Sequence, residues 1–233
     1  MSEYAASQAP NQNRVPPEHI KFMSLWALYG GDSVLSRQFA ESLRHVDYQC
    51  FGAEMAYEQE FLRERVVENH GNIWCAVNLF PEHGTPFDSG NIVGYILSSR
   101  GHESGSFAVP NNAGYIDSLA VLPEAQGLGI GRRLRELTFE YWLDTFKLET
   151  VHTLARPDNE PMIKLNKRMG LVAVRDLEPG LYTDGKPRTE FVLTQQAWEG
   201  YKEQHPERDW NPKVGQSADP RFNYRVIRRK FDP

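Results

Sequence analysis

Between Val121 and Leu134 the chain reads VLPEAQGLGIGRRL, with glycines at 127, 129 and 131 and Arg132 and Arg133 directly behind them. Glycine disfavours helix, yet Ile130, Leu134, Leu137 and Tyr141 then recur on one face at helical spacing. Bare backbone at the mouth of a helix suits an anion, because the first amides lack intrahelical partners and no Cβ holds the ligand away. Spacing decides which anion. A P-loop needs GxxxxGK[S/T], and no Lys-Ser or Lys-Thr follows. A dinucleotide fingerprint needs a third glycine three residues past the second; that position is Leu134 counted from Gly131, or Arg132 counted from Gly129. There is no GxSxG elbow, and His102-Glu103 lacks the second histidine of HExxH, Ser106 standing there.

Several elements must position this stretch. Ile20 to Leu28 reads as a first strand, and Gly30 and Gly31 end it. Asp32 or Ser33 caps an amphipathic helix with Leu35, Phe39 and Leu43 on its apolar face. A second helix is expected over about Ala53 to Glu68. NIWCAVNLF (72–80), NIVGYILSS (91–99) and GYIDSLAVL (114–122) read as strands, the last running straight into the glycines. The stretches between them, FPEHGTPFDSGN and RGHESGSFAVPNNAG, are longer than hairpins need and read as solvent-exposed insertions. After the glycine-led helix come the strand TVHTLA (150–155) and a helix capped by Asp158 or Asn159, with Pro161 in its first turn and Gly170 beyond its end. VAVRDLEPGLY and RTEFVLT flank the turn TDGKP and close a final hairpin. The fold class is α/β, a mixed and mostly antiparallel central sheet with helices on both faces.

Gln126-x-x-Gly129-x-Gly131, between a strand and an amphipathic helix, resembles the acyl-CoA signature Arg/Gln-x-x-Gly-x-Gly/Ala of the Gcn5-related N-acetyltransferase (GNAT) superfamily. A second run, N-x-x-M-x-x-L-N-x-x-x-G-L from Asn159, is similar to that family's N-x-x-A-x-x-L-Y-x-x-x-G-F. The resemblance spans roughly residues 19 to 195. It implies acetyl-CoA as co-substrate and no metal. Its pyrophosphate would lie on the backbone of Gln126, Gly127, Leu128, Gly129, Ile130, Gly131 and Arg132, with Asn159 and Asn166 contributing from the second motif.

What the resemblance implies for chemistry is direct acyl transfer to an amine, which makes three demands. The Val121 amide would bond the thioester oxygen, with Leu119 and Ala120 lining the pantetheine. A base must take the ammonium proton. Tyr115, Asp117 and Leu119 are expected on one face by strand alternation. Tyr115 stands where family members carry Glu or Tyr, and Asp117, the strand's only carboxylate, is the first candidate base. Related N-terminal acetyltransferases place Glu or His where this chain has Leu154, and His152, two residues earlier, is the substitute. The departing thiolate needs a proton that the family often draws from a tyrosine; Asn166 stands there, leaving water or Tyr182. The two departures point away from the ribosomal-protein N-terminal acetyltransferase branch.

The whole chain sets wider bounds. A net charge of −5 argues against general nucleic-acid binding. No apolar run reaches the ~18 residues of a membrane span, and the N-terminus lacks a signal-type apolar region, so the expected location is cytoplasmic. Cys50 and Cys75 read as core filler rather than a disulfide pair. The expected organisation is a disordered leader at 1–18, a catalytic domain at 19–195 and, at 196–233, a helix and extended tail packing on the domain or a partner subunit, which keeps a homodimer among the expectations. The expected acceptor is a primary amine of a small molecule, with Glu54, Glu58 and Glu60 placed to help recognise a cation. A protein or peptide acceptor and a non-catalytic acyl-CoA-binding domain are the alternatives.

Overall fold

In chain order the elements are β1 (Ile20–Ser24), α1 (Ser33–Phe51), α2 (Gln59–Glu68), β2 (Gly71–Asn78), β3 (Ile92–Ser104), β4 (Phe107–Val121), α3 (Ile130–Phe139), a π-helical turn (Glu140–Thr145), β5 (Thr150–Ala155), α4 (Glu160–Arg168), β6 (Val172–Leu177), β7 (Arg188–Thr194) and α5 (Gln195–Glu203). The structure is a computed structural model that describes residues 17–25, 33–53, 55–68, 71–79, 91–104, 107–179 and 184–208. Of the expected leader only residues 17 and 18 fall within that range, and the loop at 80–90 and the tail beyond 208 fall outside it.

The strands form one sheet in the order β1-β2-β3-β4-β5-β7-β6. Every neighbouring pair is antiparallel except β4 and β5. Helices cover both faces. Asp47 of α1 accepts a hydrogen bond from Tyr95 of β3, while Trp142 Nε1, in the turn after α3, donates to Ser98 Oγ (3.0 Å). Tyr95 and Ser98 are three residues apart, so they look out of opposite faces of the sheet. The buried set of both layers includes Phe39, Leu43 and Val46 of α1 and Leu134, Leu137 and Phe139 of α3.

The sheet departs from the sequence expectation at one large feature. The stretch expected as an exposed insertion at 100–114 is mostly strand, because β3 and β4 continue as a two-stranded extension with His102, Glu103 and Ser104 facing Val109, Ala108 and Phe107. Phe107 and Val109 alternate inward, while Ala108 between them and Pro110, Asn111 and Asn112 after them take the wet face, a stretch that composition alone reads as loop. Smaller differences concern ends. β1 stops at Ser24, α1 runs on to Phe51 before Gly52 (φ 76°) turns the chain, and α3 passes into the π-helical turn before Tyr141.

β4 also carries a bulge at the centre of the sheet. Leu97 faces Ser118 but Ser98 faces Ile116, so Asp117 has no partner across the ladder. On its other side β4 pairs with β5 only from Ala113 to Ile116. Past that point the two parallel strands part, and the edge of β4 from Asp117 to Val121 opens a cleft.

Candidate active site

The α3 side of the cleft is built from backbone. Leu122 N–H donates to Val93 O (2.9 Å). Alternation therefore turns the Val121 amide away from β3, toward the opened edge. Gln126 tucks its side chain back, Nε2 donating to Val121 O (3.0 Å), where Cys50 Sγ also donates (3.3 Å). Gly127 and Gly129 lie in the left-handed region at φ 79° and 78°. Gly129 caps α3 without a side-chain hydrogen bond, and the first intrahelical bond is Arg133 N–H to Gly129 O (3.0 Å). The amides of Ile130, Gly131 and Arg132 consequently precede the helical ladder and carry the positive end of its dipole.

Two glycines here answer to different constraints. A Cβ on Gly129 would meet nothing within 4 Å, so that position needs glycine for its φ and for the space in front of it. A Cβ on Gly131 would touch Leu119 Cδ2 (3.8 Å) and Val121 Cγ2 (3.9 Å), which sets the start of α3 directly over the opened edge of β4. Arg132 leans toward Glu136 (3.8 Å), and Arg133 is held by Glu136 and Glu140 (3.3 and 3.1 Å). Asn159 Oδ1 caps α4, accepting from Met162 N–H (3.2 Å). Asn166 is fully buried, and its Oδ1 accepts from Arg135 Nη1. Arg135 is buried with it, which pushes its guanidinium down to about 9, and Arg135 Nε and Asn166 Nδ2 find no partner among the described residues.

The other side of the cleft is built from side chains. The expected common face of Tyr115, Asp117 and Leu119 is corrected by the bulge. Tyr115 and Asp117 look toward α1 and α2, whereas Leu119 is switched to the α3 face, because one extra residue inverts everything after it. Asp117 Oδ2 accepts from Ser99 Oγ (3.0 Å), and its Oδ1 lies 3.7 Å from His102 Nδ1. The His102 ring stacks on Tyr115, centroids 4.2 Å apart and 28° between planes. Tyr115 is buried against Phe107, Val109 and Ala113. Tyr57, in the connection between α1 and α2, donates through its hydroxyl to the carbonyl of Asp117 (3.4 Å).

This environment sets the proton affinities. Burial pushes the Asp117 carboxyl up to about 6, against the opposing pull of the Arg65 charge and the Ser99 hydrogen bond. Burial first, and then Arg65, hold His102 below the ordinary histidine range. A carboxylate with its affinity raised toward neutrality, beside an imidazole that is neutral at pH 7, is chemistry suited to taking a proton.

The remaining candidates sit elsewhere. His152 pairs with Tyr115 across β4 and β5, but Nδ1 lies 2.7 Å from Glu190 Oε1 and Nε2 lies 2.9 Å from Thr150 Oγ1. Glu190 in turn accepts from Arg175 Nε (2.5 Å). That network occupies both ring nitrogens. Tyr182 lies outside the described residues, as does Glu54. His102 is the residue that sequence reasoning passed over; its one signal was its place beside a glycine in a long polar run, which read as loop. Among the described residues no group of three or more His, Cys, Asp or Glu side chains is arranged to hold a metal ion. No helix among them is long and apolar enough to cross a membrane.

The geometry has a counterpart among known proteins. The model of the acetyltransferase (GNAT) family matches residues 39–171, more than half the chain. The chain belongs to the GNAT family. It is 26% identical over 158 residues to an N-alpha-acetyltransferase of Sulfurisphaera tokodaii, covering 64% of this chain and 94% of that relative. Its fold is similar to that of Arabidopsis thaliana NAA60 in complex with acetyl-CoA, with a TM-score of 0.59, 20% identity, and 75% and 98% of the two chains covered. The spermidine/spermine N-acetyltransferase SpeG of Vibrio cholerae superposes with a TM-score of 0.53 at 13% identity, covering 78% and 98%. This GNAT protein is an acetyl-CoA-dependent N-acetyltransferase, an acyltransferase whose co-substrate is acetyl-CoA. The uncapped amides at the start of α3 and the turned Val121 amide are the groups that fit it.

Proposed function

We propose that the acceptor is the α-amine at the free N-terminus of a peptide or protein, and that Asp117 takes its proton. The observation that carries this reading is the pairing of a buried carboxyl at about 6 with a cation, Arg65, whose field reaches it from α2. An α-ammonium has a pKa of about 7.7–8.0 and a lysine-type ammonium about 10.4. Proton transfer to a group near 6 is then uphill by about 2.5 kcal/mol from an α-amine and about 6 kcal/mol from an alkyl amine. Arg65 also disfavours an acceptor carrying several positive charges. Of the acids expected to attract such an acceptor, Glu60 pairs with Arg63 at the surface (2.6 Å), Glu58 is exposed, and Glu54 lies outside the described residues. The similarity to an N-alpha-acetyltransferase supports the same acceptor class.

In this reading each part of the cleft has one task. The amides of residues 130–132 hold the pyrophosphate of the co-substrate, and Leu119 and Val121 line its pantetheine arm. The Val121 amide faces the thioester oxygen and stabilises the charge that develops there. Asp117 receives the ammonium proton as the amine attacks. No strong acid is needed on the departing side, since a thiol pKa is about 8.5; Asn166, fully buried against Arg135, is not exposed to it.

Thiol release from acetyl-CoA across a panel of acceptors tests the proposal. The panel pairs peptides having free N-termini with the same peptides blocked, and adds polyamines, aminoglycosides, amino acids and aryl amines. Turnover confined to free N-termini is expected. Turnover of polyamines or aminoglycosides with none of peptides would overturn it and restore the small-molecule reading.

A further inference from the structure

We propose that His102 carries the proton collected by Asp117 out to solvent, which rests on Asp117 being the base. The need for a carrier arises from exposure. The Asp117 side chain is 5% exposed and His102 is 19% exposed, so the histidine is the wetter end of the couple. The 3.7 Å between Nδ1 and Oδ1 is just beyond a direct hydrogen bond. A slight rotation of the ring or one bridging water closes it.

The local backbone is built to aim this ring. The pairing of β3 with β4 is irregular between Arg100 and His102, and Gly101 sits there at φ 66°. The left-handed φ favours glycine at this kink, whereas a Cβ there would meet chiefly the movable end of the Asn111 side chain, Oδ1 at 2.5 Å. The kinked strand lays His102 over Tyr115, with Phe107 tilted beside it at 5.7 Å. The two aromatic neighbours fix the ring plane and leave Nδ1 toward Asp117.

The proton accounting closes. The amine N–H bond breaks and an O–H bond forms on Asp117. That proton then moves to Nδ1 of the neutral Nε2–H imidazole, the imidazolium releases its Nε2 proton to water or buffer, and proton exchange with solvent returns the ring to the Nε2–H tautomer before the next turnover. One proton leaves for each acetyl group transferred, and the carboxylate is restored. Asp117 on β4 and Arg65 on α2 are the charged groups acting on His102, with Tyr115 of β4 beneath it. Arg65 and burial both disfavour the imidazolium, so His102 passes the proton on and does not keep it.

The test uses the full chain with acetyl-CoA and its best acceptor, comparing His102→Ala, His102→Phe and Asp117→Asn. Both histidine variants are expected to lose about 10-fold or more in kcat with KM for acetyl-CoA unchanged. Added imidazole should restore His102→Ala in proportion to its concentration and leave Asp117→Asn unrestored. His102→Phe keeps the ring stacked on Tyr115, so full activity in that variant would reduce His102 to packing and overturn the relay. A His102→Ala loss indifferent to imidazole, or no loss, would overturn it too. If Asp117→Asn keeps full activity, the base reading fails and the relay with it. If only the histidine variants are silent, the base stands alone.

Discussion

The two sides of the cleft are made of different material. On the α3 side the working groups are amides, placed by two left-handed glycines and a helix start. On the Asp117 side they are side chains from three elements: Arg65 of α2, Ser99 and His102 of β3, and Asp117 and Tyr115 of β4. A backbone site is specified by a short run of sequence, and tolerates most side chains provided the glycines stay. A side-chain site is specified by packing, and its chemistry depends on how far water is excluded.

The sharpest way to break the first half is Gly129→Glu, which puts both a Cβ and a negative charge in front of the amides. Acetyl-CoA affinity is expected to fall by about 100-fold or more by calorimetry, since the variant removes the fit between dipole and anion. The fold should lose only the cost of a left-handed non-glycine residue, about 1–2 kcal/mol. Unchanged affinity would remove the co-substrate from this helix start.

Asp117→Asn breaks the second half. A loss of about 10²- to 10⁴-fold in kcat is expected, together with the rise of rate through pH about 6 that the wild type should show as Asp117 ionises. The sign for stability is opposite. Folding raises this carboxyl from 3.8 to about 6, so its contribution is greatest below pH 3.8 and declines as pH rises through about 6. Above that pH the buried carboxylate costs about 3 kcal/mol. Melting curves should therefore show Asp117→Asn more stable than wild type at pH 8 and no different at pH 3.5. A variant that is inactive and also less stable at pH 8 would mean that Asp117 holds the fold rather than the proton.

A smaller effect is expected where the α3 side does bury charge. Asn166→Ala leaves the Arg135 guanidinium without its one oxygen partner among the described residues, and should cost about 1–3 kcal/mol in chemical denaturation. Arg135→Met in the same chain should recover much of that loss, because an apolar replacement of a buried charge is often neutral or stabilising. The smallest effect is expected from Arg65→Gln. Removing the cation should move the Asp117 limb of the pH–rate profile upward while leaving kcat at pH 8 nearly unchanged, since Arg65 lowers that carboxyl's proton affinity.

Legibility followed the same division. The glycine run, the strand before it and the Asn159 cap could be read from local spacing, because each works through residues adjacent in sequence. Leu119 was misassigned because alternation was carried through Asp117, and nothing in GYIDSLAVL announces an extra residue in the ladder. His152 looked like a substitute base because its partner Glu190 is distant in sequence and only the pairing of β5 with β7 brings them together. His102 was missed for a related reason: GHESGS is polar enough to read as loop, and its residues 102–104 become strand only by pairing with Phe107 to Val109.

By itself, then, the sequence determined the order of elements, the mixed sheet and the helix start that suits an anion, because backbone propensity and periodicity act over a few residues. The tertiary structure decided which charges meet. It took the β4 bulge to turn Leu119 to the α3 face while Asp117 stayed toward α2, the kink at Gly101 to lay His102 on Tyr115, and burial to lift a carboxyl toward neutrality. Proton affinity is a property of surroundings, and those surroundings come from segments far apart in the chain.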